Sequence, residues 1–325
     1  IDTKNKIKFR ITKLMKKNII IDTDPGQDDA VAILLALASH EINVLGLTCV
    51  AGNVPLSKTS FNARQICELA GKHEIPIFAG CDRPMGRRLI TAEHVHGNTG
   101  LDGATLPHPQ IELEATHAVD FIIKTLREAP KNSITLCPLG PLTNIGTALQ
   151  KAPDIIGNIK QIVLMGGAYF EVGNITPAAE FNIFVDPEAA EIVFNSGIDL
   201  VIAPLDVTHK ALTNQTWVSE LKAQNNPVCD VVAGWTSFFE RFDVEKYGTQ
   251  GAPLHDPCVI AYLIDPKLFS GRHINVEIET QSELTRGMTV ADWWGVTDRP
   301  VNALFLNEIN SEAYFRLLTT RISKL

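Results

Sequence analysis

The stretch Asn18-Ile19-Ile20-Ile21-Asp22-Thr23-Asp24-Pro25-Gly26-Gln27-Asp28-Asp29, followed by the run Ala30 to Ala38, sets four carboxylates into eight residues between two apolar segments. The β-branched Ile19-Ile20-Ile21 suits a buried strand, Pro25-Gly26 breaks the chain, and the run from Ala30 consists of good helix formers. A strand that hands over to a helix places these carboxylates outside the carboxyl end of a sheet strand, where open α/β folds bind ligands. Asp28 and Asp29 then lie at the helix N-terminus, whose dipole favours their ionised forms. Read singly, Asp28 is a helix cap and Asp22 an acceptor for strand-end amides. Read together, with no Lys or Arg inside the stretch, the four repel one another unless they share protons or a cation. A hard divalent ion with oxygen ligands is the simplest remedy.

Two familiar loops are excluded. Counted from Asp22, an EF-hand would need Gly at position six and Glu at twelve, where this chain has Gln27 and Ile33. A phosphate-binding loop is absent as well, because neither Gly-x4-Gly-Lys-Ser/Thr nor G-x-G-x-x-G follows the first strand.

Composition bounds the rest. The 325 residues suffice for one large domain with a substantial core, and a net charge of −8 without a Lys or Arg stripe argues against a nucleic-acid surface. Six cysteines (Cys49, Cys67, Cys81, Cys137, Cys229, Cys258) lack C-x-x-C spacing and read as buried free thiols of a reducing, cytoplasmic setting, with no zinc site. The longest apolar run, Ala30 to Ala38, is too short to span a bilayer, so no membrane partner is expected. Residues 1–17 are basic and mixed and lack the pattern of a signal peptide. They read as an extension, or a remnant of expression since the first residue is Ile, ahead of a single domain over 18–325.

Strand-like and helix-like segments alternate, which predicts an α/β fold with a mainly parallel open sheet and helices on both faces. Strands are expected at Asn18 to Asp22, Asn43 to Cys49, Ile77 to Ala79, Ser133 to Leu139, Gln161 to Met165 and Leu200 to Ala203. Helices are expected at Asp29 to Ser39, Ser57 to Ala70, Ala115 to Glu128, Pro141 to Gln150, Pro187 to Ser196, Gln215 to Ala223 and Asn226 to Tyr247. Beyond Pro204 the pattern loosens. Trp293-Trp294 falls between two strand-like runs and suits a hairpin or an interface.

Seven blocks in order carry a resemblance. They are Asp22-Thr23-Asp24-Pro25-Gly26-Gln27-Asp28-Asp29, Ala51-Gly52-Asn53, His96-Gly97-Asn98-Thr99-Gly100-Leu101-Asp102-Gly103, Gly140-Pro141-Leu142-Thr143-Asn144, Met165-Gly166-Gly167-Ala168, Gly173-Asn174 through Glu180-Phe181-Asn182, and His255-Asp256-Pro257. From about residue 18 to its end, the chain resembles the inosine/uridine-preferring nucleoside hydrolases, whose fold is Rossmann-like. The resemblance implies hydrolysis of ribonucleosides (inosine, uridine, cytidine) to ribose and free base in nucleoside salvage or catabolism. It also implies bound Ca2+ and a homotetramer or homodimer.

Such a reaction passes through an oxocarbenium-like state, which needs negative charge near the sugar, an activated water and help for the departing base. Carried over by motif, the resemblance implies metal ligation by Asp24, Asp29, Asp256 and the Leu139 carbonyl, with Asp24 also the base that takes the water's proton. It places Asp28 on the ribose 2′-hydroxyl, Asn53, Asn174, Glu180 and Asn182 on the remaining hydroxyls, and Met165 against the sugar. Asp22 is then structural support. His255, beside Asp256, is implied near the leaving base, where an imidazole suits proton or hydrogen-bond donation. The purine-specific branch offers an aromatic there, so His255 points to the inosine/uridine or pyrimidine-preferring branch. Base contacts are expected from His96, Phe181 and Tyr247, whereas Phe239 and Phe242, at helical spacing, read first as core. The plainer reading of Asn53 and Asn174 is a turn asparagine at positive φ.

Two rivals remain at this point. An Asp-x-Asp after a first strand also occurs in aspartate-based phosphohydrolases of haloacid-dehalogenase type, but the phosphate-anchoring Lys or Arg they need is not evident. A non-catalytic calcium-dependent sugar- or nucleoside-binding protein would leave Asp24 and His255 without a task.

Overall fold

The computed structural model describes residues 16–248 and 251–325; the side chains of Asp243, Lys246 and Tyr247 lie outside that description. Among the described residues there are ten strands: β1 (Lys17–Thr23), β2 (Ile42–Cys49), β3 (Ile77–Ala79), β4 (Ile134–Pro138), β5 (Ile159–Met165), β6 (Leu200–Ala203), β7 (Phe269–Ile274), β8 (Val276–Ile278), β9 (Thr289–Ala291) and β10 (Ala303–Ile309). Eight form one sheet in the order β3-β2-β1-β4-β5-β6-β10-β7, and β8 pairs with β9 separately. Every neighbouring pair of the large sheet is parallel except β10 with β7.

The near-continuous apolar strands are explained by burial on both faces. Side chains alternate across a strand, so Ile19 and Ile21 of β1 join one core while Ile20 joins the other. In β5, Val163 and Met165 face the first core, and Ile162 and Leu164 the second. Ile19, Ile20 and Ile21 are wholly buried, which contributes about 1.5–3 kcal/mol each. The first core lies under the helices Gln27–Leu37, Leu56–Leu69, Pro257–Ile264 and Ser311–Ile322; the second lies under Ala118–Glu128, Thr143–Lys151 and Pro187–Phe194.

Six expected strands correspond to β1–β6, and the expected helices recur with shifted ends. The carboxyl-terminal third departs from expectation. β7 was not anticipated because it is a polar edge strand, with Ser270, Gly271, Arg272 and His273 all exposed. Pro257–Ile264 is apolar on nearly every side, being wedged into the core, so it lacks the one-sided pattern of a surface helix. Trp293-Trp294 does fall between β9 and β10, with Trp294 exposed and the Arg272 guanidinium 5.5 Å and 5.6 Å from the two rings. The six cysteines are free, and Cys81 is only half-buried. Of the expected extension, residues 1–15 lie outside the described residues, and Lys17 already pairs with Ile42 as the start of β1. Among the described residues no helix is long and apolar enough to cross a membrane.

Candidate active site

The chain runs from β1 to β2 and β3 on one side and resumes with β4 on the other side of β1. The turns after β1 and β4 therefore diverge, leaving a crevice at the carboxyl ends of the strands. A cavity of about 450 Å³ opens there, with Asp28, Asn53, Leu139, Met165, His255 and Asp256 among its lining residues.

Local folding assembles the acidic floor. Pro25-Gly26 ends the extended chain, and Asp29, in the first turn of Gln27–Leu37, accepts from the Gly26 amide at 3.0 Å and the Thr23 hydroxyl at 2.5 Å. Asp256 precedes Pro257–Ile264, which packs against Gln27–Leu37, and this packing brings residues more than two hundred positions apart together. One carboxylate oxygen each from Asp28, Asp29 and Asp256 lies within 4.8 Å of the others, and all three side chains are buried. Asp24 is wholly buried beside them, and its Oδ2 accepts from the Asn53 amide at 2.7 Å.

Ionising these buried carboxyls together is unfavourable. Burial pushes the Asp28 carboxyl up to about 8, helped by the neighbouring Asp29 charge. Burial, and then the charges of neighbouring aspartates, hold Asp24 and Asp256 well above the usual carboxylate range, and burial raises Asp29 as well. Asp24 Oδ1 and Asp28 Oδ1 are buried without a hydrogen-bond partner among the described residues. Orphaned buried oxygens in an all-oxygen donor set fit a hard divalent cation. The Leu139 carbonyl fits the same set: it accepts from Asn182 Nδ2 at 2.7 Å and keeps a second lone pair.

Two glycines make room for Asp24. A Cβ at Gly52 would lie 2.1 Å from Asp24 Oδ2, and one at Gly140 would lie 2.2 Å from Asp24 Oδ1. These are the glycines of the Ala51-Gly52-Asn53 and Gly140-Pro141 blocks, so their small size is a requirement of the carboxylate they enclose.

One wall is rich in amides and carboxylates. Asn53 Nδ2 donates to the Asp24 carbonyl at 3.2 Å and Asp29 Oδ2 at 3.1 Å, so it orients the floor as well as lining the cavity. Glu180 caps Phe181–Val185, accepting from the amides of Asn182 at 2.9 Å, Gly167 at 3.0 Å and Ile183 at 3.3 Å. Burial still pushes its carboxyl up to about 7. Asn174 Oδ1 accepts from the Phe181 amide at 2.9 Å, and Asn182 Nδ2 also reaches the Met165 carbonyl at 3.2 Å. Neither Asn53 nor Asn174 has a positive φ, so the plain turn reading of both is set aside. Asp22 lies deeper, with Oδ1 held by Thr48 at 2.5 Å and Asn144 at 2.8 Å, and burial pushes it up to about 7.

Aromatic rings line the cavity as well. His96 stacks on Phe239 with ring centroids 5.6 Å apart, its Nδ1 lies 2.7 Å from Gln27 Oε1, and burial pushes it down to about 3, fixing it neutral. Phe181, Phe239 and Phe242 line the cavity, so the reading of Phe239 and Phe242 as plain core is corrected: their helix turns one side inward. The Tyr247 side chain lies outside the described residues. His255 Nδ1 lies 2.7 Å from Thr208 Oγ1, and burial, then the neighbouring His209 and His96, holds this ring well below its ordinary value.

Several lining or supporting residues were not singled out from sequence. His209 lies beside His255, 5.8 Å between centroids, and its Nδ1 meets Glu171 Oε2 at 3.0 Å. Asp206 accepts from the amides of Tyr169 at 2.9 Å and Phe170 at 2.6 Å, tying the loop after β5 to the turn after β6. The segment Asp206-Val207-Thr208-His209, directly after β6, was the available signal.

The chain is similar in sequence and fold to known proteins. The model of a family described as inosine-uridine preferring nucleoside hydrolase matches residues 19–316. An uncharacterized protein of Schizosaccharomyces pombe is 53% identical over 307 residues, covering 94% of this chain and 99% of its own. The pyrimidine-specific ribonucleoside hydrolase RihA of Photobacterium profundum is 47% identical over 310 residues, covering 95% of this chain and 99% of its own. Among solved structures, the purine-preferring ribonucleoside hydrolase from Gardnerella vaginalis superposes with a TM-score of 0.89 at 32% identity, covering 95% of this chain and 98% of that one.

Proposed function

The chain belongs to the inosine-uridine preferring nucleoside hydrolase family, whose enzymes cleave the N-glycosidic bond of ribonucleosides, and from that premise we propose a calcium-dependent hydrolase of pyrimidine ribonucleosides. The observation that carries the metal is the pair of orphaned oxygens, Asp24 Oδ1 and Asp28 Oδ1, within a buried acidic floor. Asp24, Asp29, Asp256 and the Leu139 carbonyl would hold the ion, and Asp28 the ribose 2′-hydroxyl. When bound, calcium supplies the charge that lets these carboxylates ionise together, a hold on the ribose hydroxyls and an acidified water.

The residues divide the remaining work. Asp24 Oδ1, free of protein partners among the described residues, takes the proton of the attacking water. Asn53, Asn174, Glu180 and Asn182 hold the other ribose hydroxyls, and Met165 packs against the sugar. As the bond from C1′ to the base nitrogen breaks, its electron pair leaves with the base, and His255 meets that charge with an N–H. The carboxylate-rich floor favours the positive charge developing on the sugar. His96, Phe181, Phe239 and Phe242 form the apolar side on which a base ring stacks, with Tyr247 as a further candidate from its place at the end of Pro227–Tyr247.

Preference for uridine and cytidine over inosine is supported by the 47% identity to a pyrimidine-specific enzyme. Against a phosphohydrolase stands a lining that contains no Lys or Arg among the described residues. A role in cytoplasmic nucleoside salvage or catabolism, as a homotetramer or homodimer formed by the domain from residue 18 onward, completes the reading. The test is turnover of uridine, cytidine and inosine by metal-stripped protein before and after calcium is restored. Ribose released from the pyrimidine nucleosides only after restoration is expected; equal turnover with and without calcium would overturn the metal, and inosine as the fastest substrate would overturn the preference.

A further inference from the structure

We propose that Thr208 is a positioning residue that fixes His255 in the neutral tautomer carrying its hydrogen on Nε2, so that the imidazole faces the departing base as a hydrogen-bond donor. This deepens the reading of His255 given above and rests on it. Thr208 sits in the short helix Leu205–Thr208 directly after β6 and is wholly buried. Its Oγ1 lies 2.7 Å from His255 Nδ1.

A hydroxyl and a neutral imidazole can pair in either sense, and the surroundings decide which. A buried hydroxyl hydrogen without an acceptor is costly, so the Thr208 hydrogen must go somewhere. Three helical threonines elsewhere in this protein send theirs to the carbonyl four residues back: Thr236 to Val232 at 2.8 Å, Thr319 to Phe315 at 3.1 Å and Thr320 to Arg316 at 2.7 Å. Thr208 does not. The Pro204 carbonyl accepts from the Thr208 backbone amide at 3.0 Å, and His255 Nδ1 is the one side-chain partner of the Thr208 hydroxyl among the described residues. Thr208 therefore donates and Nδ1 accepts, which leaves the ring hydrogen on Nε2. His255 lines the cavity, and Nε2 takes no hydrogen bond from the described residues. The opposite tautomer would present a lone pair to a leaving group that is gaining electrons, which repels it.

The sequence of events stays balanced. The electron pair of the C1′–nitrogen bond goes to the base, the Nε2–H stabilises it there, and solvent supplies the proton that the released base finally keeps. His255 ends in the state in which it began, and Asp24 returns the proton of the attacking water to solvent.

The experiment compares Thr208→Val, Thr208→Ser and His255→Ala on uridine and on p-nitrophenyl riboside, whose leaving group needs no such donor. Thr208→Val is expected to lower kcat for uridine by about 10-fold, with KM and the nitrophenyl riboside rate each within about twofold. Thr208→Ser, which keeps the hydroxyl, is expected to restore most of the loss, and Thr208→Val is expected to add little in the His255→Ala background. Nitrogen-15 NMR of the unmodified enzyme reads the tautomer directly and does not depend on any variant folding: Nε2 protonated and Nδ1 bare is expected. Hydrogen on Nδ1 would overturn the proposal, as would a selective loss in His255→Ala that Thr208→Val fails to reproduce. If His255→Ala slows both substrates alike, the donor reading of His255 itself fails, and the proposal fails with it.

Discussion

Stripping divalent cations should turn the stability of this protein into a steep function of pH. In the unfolded chain Asp28 loses its proton near the ordinary 3.8, whereas in the folded protein burial and the Asp29 charge hold that proton until about pH 8. Between those values the folded state binds more protons than the unfolded one, so raising the pH favours unfolding. The contribution of Asp28 is complete below about pH 4 and is lost as the pH rises through about 8. At about 1.4 kcal/mol per pH unit, that span amounts to about 6 kcal/mol. This is of the order of a whole domain's stability. Asp24, Asp29 and Asp256 are displaced in the same direction and steepen the fall. A bound divalent cation favours the ionised carboxylates and reverses the trend. Melting followed by calorimetry at pH 5 and pH 8, in chelator and in excess calcium, checks this. The gap between the two conditions should be small at pH 5 and on the order of 10 °C at pH 8. A gap of equal size at both values, or a melting temperature in chelator that does not fall with pH, would exclude buried protonated carboxyls as the source of the dependence.

Further outcomes follow from other parts of the site. Gly140→Ala forces a Cβ against Asp24 Oδ1, at 2.2 Å before relaxation, so kcat for uridine should drop by roughly 100-fold while the far-ultraviolet circular dichroism is unchanged. Glu180 is held up to about 7 from its ordinary 4.5, so its stabilising contribution is full below about pH 4.5 and lost as the pH rises through about 7. Glu180→Gln should therefore flatten the stability of calcium-saturated protein over that window by about 3 kcal/mol, as read by urea denaturation at pH 5 and pH 7.5. Loss of the 2′-hydroxyl leaves Asp28 and the ion without their partner, and kcat/KM for 2′-deoxyuridine should fall by roughly 10⁴-fold against uridine in a competitive assay.

How much was legible beforehand depended on where each group sits in the chain. Asp24, Asp28 and Asp29 share one segment, so their crowding was visible in the sequence as a charge problem requiring a cation. The Leu139 carbonyl and Asp256 share no segment with them, and only the ordered motifs linked them to the floor. β1–β6 could be read because buried parallel strands are apolar throughout, and β7 could not because an antiparallel edge exposes Ser270 to His273. Phe239 and Phe242 look like core at helical spacing, and only the placement of their helix reveals that one side meets a cavity. The pairs Thr208–His255, Glu171–His209 and Gln27–His96 join residues from separate turns, and no local pattern encodes such meetings.

If water cleaves the bond from C1′ of the ribose to the base, its oxygen ends on the sugar. With uridine in oxygen-18 water and calcium, free ribose and uracil should appear in equal amounts, with one labelled oxygen on C1 of the ribose and none in the uracil. Label in the uracil, release of a pentose phosphate that depends on added phosphate, or no cleavage at all would contradict hydrolysis at C1′.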